Sequence, residues 1–269
     1  RCKIVPNEVM DLRRIGVFDS GIGGLTVLRQ LRRAFPQLDM VYLGDTARVP
    51  YGGRSVETIT HYAEDDVRFL LRKDVEAIVI ACGTVSSNSL DALRGKFDLP
   101  IYGVIESAAN LAAAVTKTRS VGVIGTQATV KSGAYEAHIR AAADDVRVIS
   151  RACPLFVPLV ENGIAPDDIV AETVCSRYMA AFDGADIDAL IMGCTHYPVY
   201  RPALEKRLPG VRMIDVGEAL AEALRPLFSG SAGTGAVESY VTERSAAFDE
   251  IVRVMDPSLD PAAIRVENA

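Results

Sequence analysis

The chain has 269 residues, enough for one large domain or two smaller ones, and its apolar and charged fractions (49% and 24%) are ordinary for a globular protein. The formal net charge is -6 and no basic stripe is present, so the composition argues against a nucleic-acid-binding surface. No apolar run is long enough to cross a bilayer and no apolar signal segment opens the chain, so we expect no membrane partner and a cytoplasmic location.

In the first half of the chain, short apolar runs alternate with helical patterns. The runs predict strands at 14–18, 40–43, 77–81 and 101–105. A helix with Leu25, Leu28, Leu31 and Phe35 on one face follows the first strand, and further helices are predicted at 55–72, 86–97 and 107–115. The run at 77–81 is apolar throughout, which is typical of a strand buried on both faces.

The second half continues the alternation, with predicted strands at 121–124, 146–150 and 189–192. Helices are predicted near 130–142 and 167–182 and after Pro198. Strands that alternate with helices in this way indicate an α/β fold with parallel sheets covered by helices.

The two halves resemble each other. The segment RIGVFDSG from Arg14 is similar in pattern to SVGVIGTQ from Ser120, and VEAIVIACGT from Val75 is similar to IDALIMGCTH from Ile187. We therefore predict two similar parallel-sheet α/β domains, related by pseudo-two-fold symmetry, with the active site in the cleft between them. The alternative is that any two α/β segments share such a pattern. The predicted boundaries are 14–104 with 212–269 for the first domain and 105–211 for the second. Residues 1–13 would be an N-terminal extension, disordered or added in cloning or processing.

Two of the cysteines stand at corresponding places in the halves. The five are Cys2, Cys82, Cys153, Cys175 and Cys194, an odd number with no C-x-x-C pair, which suits neither a disulfide framework nor a zinc site. Cys153 and Cys175 are interpreted as packing residues. Cys82 and Cys194 each follow a predicted buried strand, so a cleft between the domains would place one thiol on each side of a ligand.

Two facing thiols suit the inversion of a stereocentre by proton transfer. One thiolate removes the α-proton, the opposite thiol protonates the other face of the carbanion, and the reverse reaction uses the same pair. A helix N-terminus lowers the pKa of a thiol, and helices are predicted after both cysteines, so we expect both thiols to be partly activated.

Three motifs carry a resemblance to a known family. The segments IGVFDSGIGGLTV from Ile15, GDTARVPYG from Gly44 and GCTHYP from Gly193 closely resemble the glutamate racemases, over about residues 14–216. The resemblance implies two similar α/β domains with the active site between them, no pyridoxal phosphate or metal cofactor, and frequent homodimers. It also implies reversible interconversion of L- and D-glutamate, which supplies D-glutamate for bacterial peptidoglycan.

The resemblance implies roles for individual residues. Cys82 and Cys194 match the catalytic pair, assisted in proton transfer by Asp19 and His196. Substrate contacts are implied at Asp19, Ser20, Tyr51, Gly52, Thr84, Thr195 and His196, with Glu161 as a further acid behind them. Gly83 departs from the Cys-Asn-Thr found in many members, and it can offer a substrate carboxylate only its backbone N–H.

For several residues, the sequence also allows an interpretation other than a catalytic or substrate-binding role. Asp19 could be a helix N-cap and His196 a core histidine. Thr126 is a candidate carboxylate contact in the second half, whereas Thr129 fits a turn equally well. Arg48 and Arg54, on either side of Tyr51, could bind a carboxylate or form a salt bridge that orders their loop.

Other functions also remain open. An aspartate racemase would use the same two-cysteine plan, and a decarboxylase of the same superfamily would need only one cysteine. A non-enzymatic amino-acid-binding protein would need neither thiol. His61 and His138 lie in helical patterns without a partnering motif and are interpreted as structural.

Overall fold

The computed structural model describes residues 9–269, which form two β-sheets covered by helices. Residues 1–8, with Cys2 and most of the predicted extension, lie outside the described residues. The strands are β1 (Arg14–Asp19), β2 (Asp39–Gly44), β3 (Ala77–Ile80), β4 (Ile101–Gly103), β5 (Ser120–Gly125), β6 (Arg147–Ala152), β7 (Ala189–Met192), β8 (Arg212–Asp215), β9 (Val237–Val241) and β10 (Arg265–Val266). The α-helices are α1 (Leu25–Ala34), α2 (Val56–Leu71), α3 (Gly83–Asn88), α4 (Leu90–Lys96), α5 (Val104–Val115), α6 (Gln127–Ser132), α7 (Ala134–Ala142), α8 (Phe156–Glu161), α9 (Ile169–Met179), α10 (Arg201–Arg207), α11 (Val216–Leu224) and α12 (Phe248–Met255). Short 3-10 helices lie at Thr46–Arg48, Ala180–Phe182, Tyr197–Tyr200 and Pro261–Ala263.

Within the described residues, both sheets are parallel throughout. The first sheet has the strand order β10-β9-β2-β1-β3-β4, and the second has the order β6-β5-β7-β8. The two sheets share a pattern: β1 lies between β2 and β3 in the first sheet, and β5 lies between β6 and β7 in the second. The predicted fold class, two parallel-sheet α/β units, is confirmed.

Burial of both sheet faces explains why these segments become strands. All four residues of β3 are buried, and so are all six of β5, because helices cover each sheet on both sides. On α1, the predicted apolar face holds, with Leu25, Leu28 and Leu31 fully buried. Ser55 caps α2, and its side-chain oxygen accepts from the backbone N–H of Thr58.

Most predicted elements differ from the structure by one to three residues at an end, and three differ in kind, since one strand gives way to a helix and two helices are divided. The strand predicted at 101–105 ends at Gly103, and Val104 begins α5, where the Ser86 hydroxyl accepts the Val104 N–H at 3.3 Å. The helix predicted over 86–97 is two helices that divide at Ser89. The helix predicted over 130–142 divides at Gly133, whose positive φ of 68° ends α6 in a left-handed turn.

The chain crosses between the two sheets twice, at adjacent places. It leaves the first sheet through β4 and α5 and returns through β8 and α11, and these two helices pack against each other. β8, which the predicted boundary at residue 212 assigns to the first domain, pairs with β7 in the second sheet. In the predicted extension, Met10 N donates to Leu227 O at 2.7 Å and Leu12 is buried.

Among residues 9–269, no helix combines the length and the apolar character that a bilayer span requires.

Candidate active site

A cleft of about 450 Å³ lies where the carboxyl ends of strands from the two sheets meet. The residues that follow β1, β3, β5 and β7 line it, together with the loop after β2 and the start of α8. This is the edge at which ligands bind in open parallel sheets. All but one of the predicted site residues line the cleft, namely Ser20, Tyr51, Gly52, Cys82, Gly83, Thr84, Thr126, Cys194, Thr195 and His196. The exception, Asp19, lies buried directly behind the wall.

Cys82 lies between the end of β3 and the first residue of α3, with 4% of its surface exposed. Its Sγ donates to Ser20 Oγ at 3.3 Å. Burial raises the pKa of the Cys82 thiol to about 12, and the charge of Asp19 adds to the rise. The N–H of Val85 lowers the pKa but is outweighed, so the expectation that the helix N-terminus activates this thiol is wrong for Cys82.

Cys194 follows β7 on the opposite side of the cleft and has different partners. Its Sγ lies 3.9 Å from Nδ1 of His196, whose Nε2 donates to Glu161 Oε1 at 3.0 Å. Burial alone would lower the pKa of His196, but the hydrogen bonds to Cys194 and Glu161 raise it to about 10. The imidazole therefore holds its second proton at neutral pH and can stabilise negative charge on the Cys194 sulfur.

Asp19 connects the two sides of the site. It ends β1, and its Oδ2 accepts from the backbone N–H of Gly21 at 3.0 Å in a turn that precedes the helix. Because Gly24 stands at the N-cap of α1, the interpretation of Asp19 as a helix N-cap is wrong. Its Oδ1 also accepts from Thr195 Oγ1, across the interface between the sheets, at 3.5 Å. Burial raises the pKa of Asp19, while the positive charge of His196 lowers it. The carboxyl group is thus poised as a proton acceptor near both thiol loops.

A chain of hydroxyl groups crosses one wall of the cleft. Thr84 Oγ1, from the first half, lies 2.9 Å from Thr126 Oγ1, from the second, and Thr126 donates in turn to Thr129 Oγ1 at 3.0 Å. Thr126 lines the cleft, whereas Thr129 is 1% exposed and lies behind it. Of the two second-half threonines, only Thr126 is therefore placed to touch a ligand. The described cleft-lining residues include no Lys or Arg, so the donors available to a carboxylate are hydroxyl and backbone N–H groups, the Gln127 amide and the His196 imidazole.

Arg48 orders the loop that carries Tyr51. Its guanidinium contacts Asp45 at 2.5 Å, Asp65 at 3.0 Å and Asp66 at 3.1 Å, so its donors are engaged by carboxylates of the protein. The loop-ordering interpretation therefore holds for Arg48. The Tyr51 hydroxyl also donates to Asp45, so it is the rest of the Tyr51 side chain that borders the cleft.

Cleft-lining residues that the sequence did not single out are mainly apolar and glycine residues: Gly21, Val49, Pro50, Gly53, Gln127, Pro154, Val157 and Pro158. Val49 and Pro50 belong to the Pro-Tyr-Gly segment and could have been included with it. The segment from Pro154 to Pro158 precedes Glu161. Its two prolines were the only feature of the sequence that could have indicated a loop at the cleft. Glu161 itself lines the cleft beside His196.

The residues interpreted as structural lie away from the cleft. Cys153 and Cys175 are buried, and neither borders it. His61 is an exposed partner of Asp65 on α2, and His138 lies on α7. Arg54 is exposed and does not line the cleft. Across residues 9–269, no group of three or more His, Cys, Asp and Glu side chains has the arrangement needed to hold a metal ion.

Comparisons with known proteins agree with this architecture. A family model described as Asp/Glu/hydantoin racemase matches residues 15–224. A glutamate racemase from Aquifex aeolicus is 46% identical over 242 residues, which cover 90% of this chain and 93% of that protein. The structure of a glutamate racemase from Thermus thermophilus with β-chloro-D-alanine is 42% identical, with a TM-score of 0.81, and the match covers 96% of this chain and 98% of that one. A glutamate racemase from Francisella tularensis, in complex with D-glutamate, has a TM-score of 0.86 at 33% identity and covers 97% and 98% of the two chains.

Proposed function

The chain belongs to the Asp/Glu/hydantoin racemase family, and from that premise we propose that it is a glutamate racemase that interconverts L- and D-glutamate without a cofactor. The names of its relatives support this substrate, since those at 41–46% identity are glutamate racemases. The D-glutamate in the Francisella structure supports it further. In this proposal the product supplies D-glutamate for peptidoglycan, and the enzyme is a homodimer.

One observation supports the two-thiol mechanism above all others: cysteines from the two sheets border one cleft. In the proposed step, a thiolate takes the α-proton, so that the C–H bond breaks and an S–H bond forms. The carbanion then takes the proton of the opposite thiol, which becomes the thiolate. The product has the inverted configuration, and the pair is ready for the reverse reaction.

The different partners of the thiols support a division of labour in the resting enzyme. Cys82, with a pKa of about 12, carries its proton at neutral pH and is suited to be the acid. Cys194 lies beside the protonated His196, which is placed to stabilise negative charge when Cys194 acts as the base. After one turnover Cys82 is the thiolate and Cys194 the thiol, which is the pair that the reverse reaction uses. The resting state returns when Cys194 loses a proton to solvent and Cys82 gains one from solvent, with His196 beside Cys194 and Asp19 beside Cys82 as the neighbouring relay groups.

The donors around the cleft support a carboxylate-bearing substrate. The hydroxyls of Ser20, Thr84 and Thr126 would bind its carboxylates, together with backbone N–H groups at the starts of α3 and α6. Oriented donors of this kind also stabilise the negative charge that develops when Cα is deprotonated.

Neither alternative enzyme has an observation in its favour. A decarboxylase of the one-cysteine type would leave the second thiol without a use, although both thiols border the cleft. The relatives at 41–46% identity carry the name of glutamate racemase and not of aspartate racemase.

The decisive experiment incubates the purified protein with L-glutamate in heavy water without added cofactor, and separately with L-aspartate. We expect deuterium at Cα together with formation of the D enantiomer from glutamate. Cys82→Ser and Cys194→Ser should each lower the rate of racemisation about 100-fold or more, because an acid or base is lost from one face.

Cys175→Ser is the matched control, since this buried cysteine lies on α9 away from the cleft, and it should keep wild-type turnover. Absence of both deuterium and D product from glutamate would refute the proposed function. Full activity in either active-site cysteine variant would refute the two-thiol mechanism alone.

A further inference from the structure

The two thiol-bearing loops touch each other through glycine backbone. Gly83 directly follows Cys82 and Gly193 directly precedes Cys194, so each contact residue is the chain neighbour of a thiol. Gly83 is buried, and a Cβ built on it would overlap the carbonyl oxygen of Gly193. Real Cβ atoms do not come that close to a backbone oxygen, so any other residue at 83 would require one loop to move.

The Cys194 loop has little room to retreat. Gly193 N donates to Ile124 O at 2.7 Å, and a Cβ on Gly193 would lie 2.7 Å from that oxygen and 2.8 Å from the ring of Tyr135. On its other side, the hydroxyl of Thr26 on α1 donates to the carbonyl oxygen of Thr195 at 2.9 Å.

The Cys82 loop is also held. Ser86 N donates to Cys82 O at 2.9 Å, and the Ser86 hydroxyl donates to Ile80 O at 3.1 Å. A side chain at position 83 would therefore displace one loop from the other, and the two thiols with them.

From this geometry we infer that in this chain, where Gly83 replaces the asparagine of many family members, the contact between Gly83 and Gly193 sets the spacing of the two thiols, and that Gly83 is a positioning residue for proton delivery to the second face. The inference rests on the proposed two-thiol racemisation and goes beyond the predicted role of Gly83 as a donor to substrate. The inference rests on the lack of room for a Cβ at residue 83 and not on the chemistry of the thiols themselves.

Spacing has a specific chemical consequence. Removal of the α-proton needs only the first thiol, whereas inversion also needs the second thiol to reach the carbanion. When the second thiol is too far away, the first thiol can exchange its proton with solvent and return a new one to the same face. The substrate then gains a solvent proton at Cα but keeps its configuration. A displacement of about 1 Å can cost a factor of about 100 in rate, so a single methyl group is enough to test the point.

The test compares wild type with Gly83→Ala in heavy water, starting from each enantiomer of glutamate. Mass spectrometry measures deuterium at Cα, and chiral chromatography measures inversion. We expect inversion to fall about 100-fold in Gly83→Ala, with exchange falling much less, so that the ratio of exchange to inversion rises at least several-fold. Gly95→Ala is the matched control, because a Cβ on Gly95 in α4 meets no atom within 4 Å, and its ratio should equal that of wild type.

A second variant loosens the Cys194 loop instead of the Cys82 loop, and it leaves Gly83 unchanged. Thr26→Val removes the hydroxyl that holds Thr195 O and should also raise the ratio, whereas Thr26→Ser should not. If Gly83→Ala does not fold, the Thr26 pair decides the outcome.

An unchanged ratio in the folded Gly83→Ala protein would overturn the inference, as would an equal fall of exchange and inversion. In the absence of folded Gly83→Ala, an unchanged ratio in Thr26→Val would do so. Failure of the wild type to racemise glutamate would instead refute the proposed function, so the two failures are distinguishable.

Discussion

Cys82 and Cys194 border the same cleft but lie in chemically different surroundings. Burial and the nearby Asp19 carboxyl group favour the thiol form of Cys82. They outweigh the opposite effect of its hydrogen bonds with the Ser20 hydroxyl and the Val85 N–H. Cys194 lies beside an imidazole that Glu161 helps to keep protonated. At the scale of single residues, the positive charge beside Cys194 therefore depends on Glu161, which lies 35 positions before His196 in the sequence.

Glu161→Gln should lower the pKa of His196 by about one unit or more, because the nearby negative charge is lost while the side chain keeps its size. The folded pKa of about 10 lies above the ordinary 6.5, so this proton stabilises the fold fully below pH 6.5, and the stabilisation is lost as pH rises through about 10. We expect the alkaline loss of kcat/KM to begin at lower pH in the variant. NMR titration of the His196 ring would measure the shift directly.

Glu205→Gln, on α10, is the control and should leave the titration unchanged. A His196 pKa that does not move in Glu161→Gln would contradict the assigned role of Glu161.

Strand-end position was enough to mark Cys82 and Cys194 in the sequence, since a parallel sheet brings such ends to one edge. The high pKa of Cys82 could not be predicted, because it depends on how completely the folded chain covers the thiol. The contact of Asp19 with Thr195 spans 176 positions along the chain and depends on the packing of two sheets. No local pattern reports such a contact.

At the scale of elements, Arg48 ties the loop after β2 to α2. Arg48 joins Asp45 on the loop to Asp65 and Asp66 on α2, and its guanidinium also stacks 4.5 Å from the ring centre of Tyr62. Asp45 and Asp66 are fully buried, so they rely on this cation. The position of the Pro-Tyr-Gly segment at the cleft follows from that cluster.

Arg48→Met should lower the free energy of unfolding by about 3 kcal/mol or more at pH 7, because two buried carboxyl groups lose their counter-charge. Burial, and then the charge of Asp45, raise the pKa of Asp66 above its usual range. A carboxyl group with a raised folded pKa destabilises the fold increasingly as pH rises, so the deficit of the variant should shrink as pH falls. Urea denaturation at pH 7 and pH 5 would measure both effects.

Arg54→Met changes an exposed arginine of the same loop and should cost well under 1 kcal/mol. An equal loss in the two variants would show that Arg48 has no special role.

The bounds of helices and strands were predicted well where burial gives a continuous apolar run. They were predicted poorly where contacts with distant residues end an element. The strand at 189–192 was predicted with the bounds it has, because all of its residues are buried. The end of β4 at Gly103 was missed, since Val104 and Ile105 are as apolar as a strand and become helical where Ser86 accepts the Val104 N–H. β9 and β10 lie beyond residue 217, in the part of the chain where only a general pattern was visible.

At the scale of the whole molecule, the larger of two hydrophobic cores is shared by the two sheets. A continuous cluster of buried side chains runs from Ile15 and Val17 on β1 to Val121 and Val123 on β5. The packed helices α5 and α11 lie where the chain passes between the sheets. Each half therefore buries part of its apolar surface against the other, while a second, smaller cluster, with Phe18, Val41 and Ile78, lies within the first half.

Calorimetry should show a single unfolding transition, with calorimetric and van't Hoff enthalpies that agree, because loss of either half exposes the shared core. Unfolding followed by near-ultraviolet circular dichroism and by intrinsic tyrosine fluorescence should have the same midpoint. Two resolved transitions would show that the halves unfold independently.

The strands of the first sheet come from two separate parts of the chain, and this has a consequence for folding during translation. The second sheet is made from one uninterrupted stretch, β5 to β8, whereas β9 and β10 of the first sheet come from the last part of the chain. During translation, β2 therefore presents an unpaired edge until the residues after Val237 have left the ribosome, while the inserted half is already fully emerged. In a nascent chain, the half with Cys194 is complete before the half with Cys82.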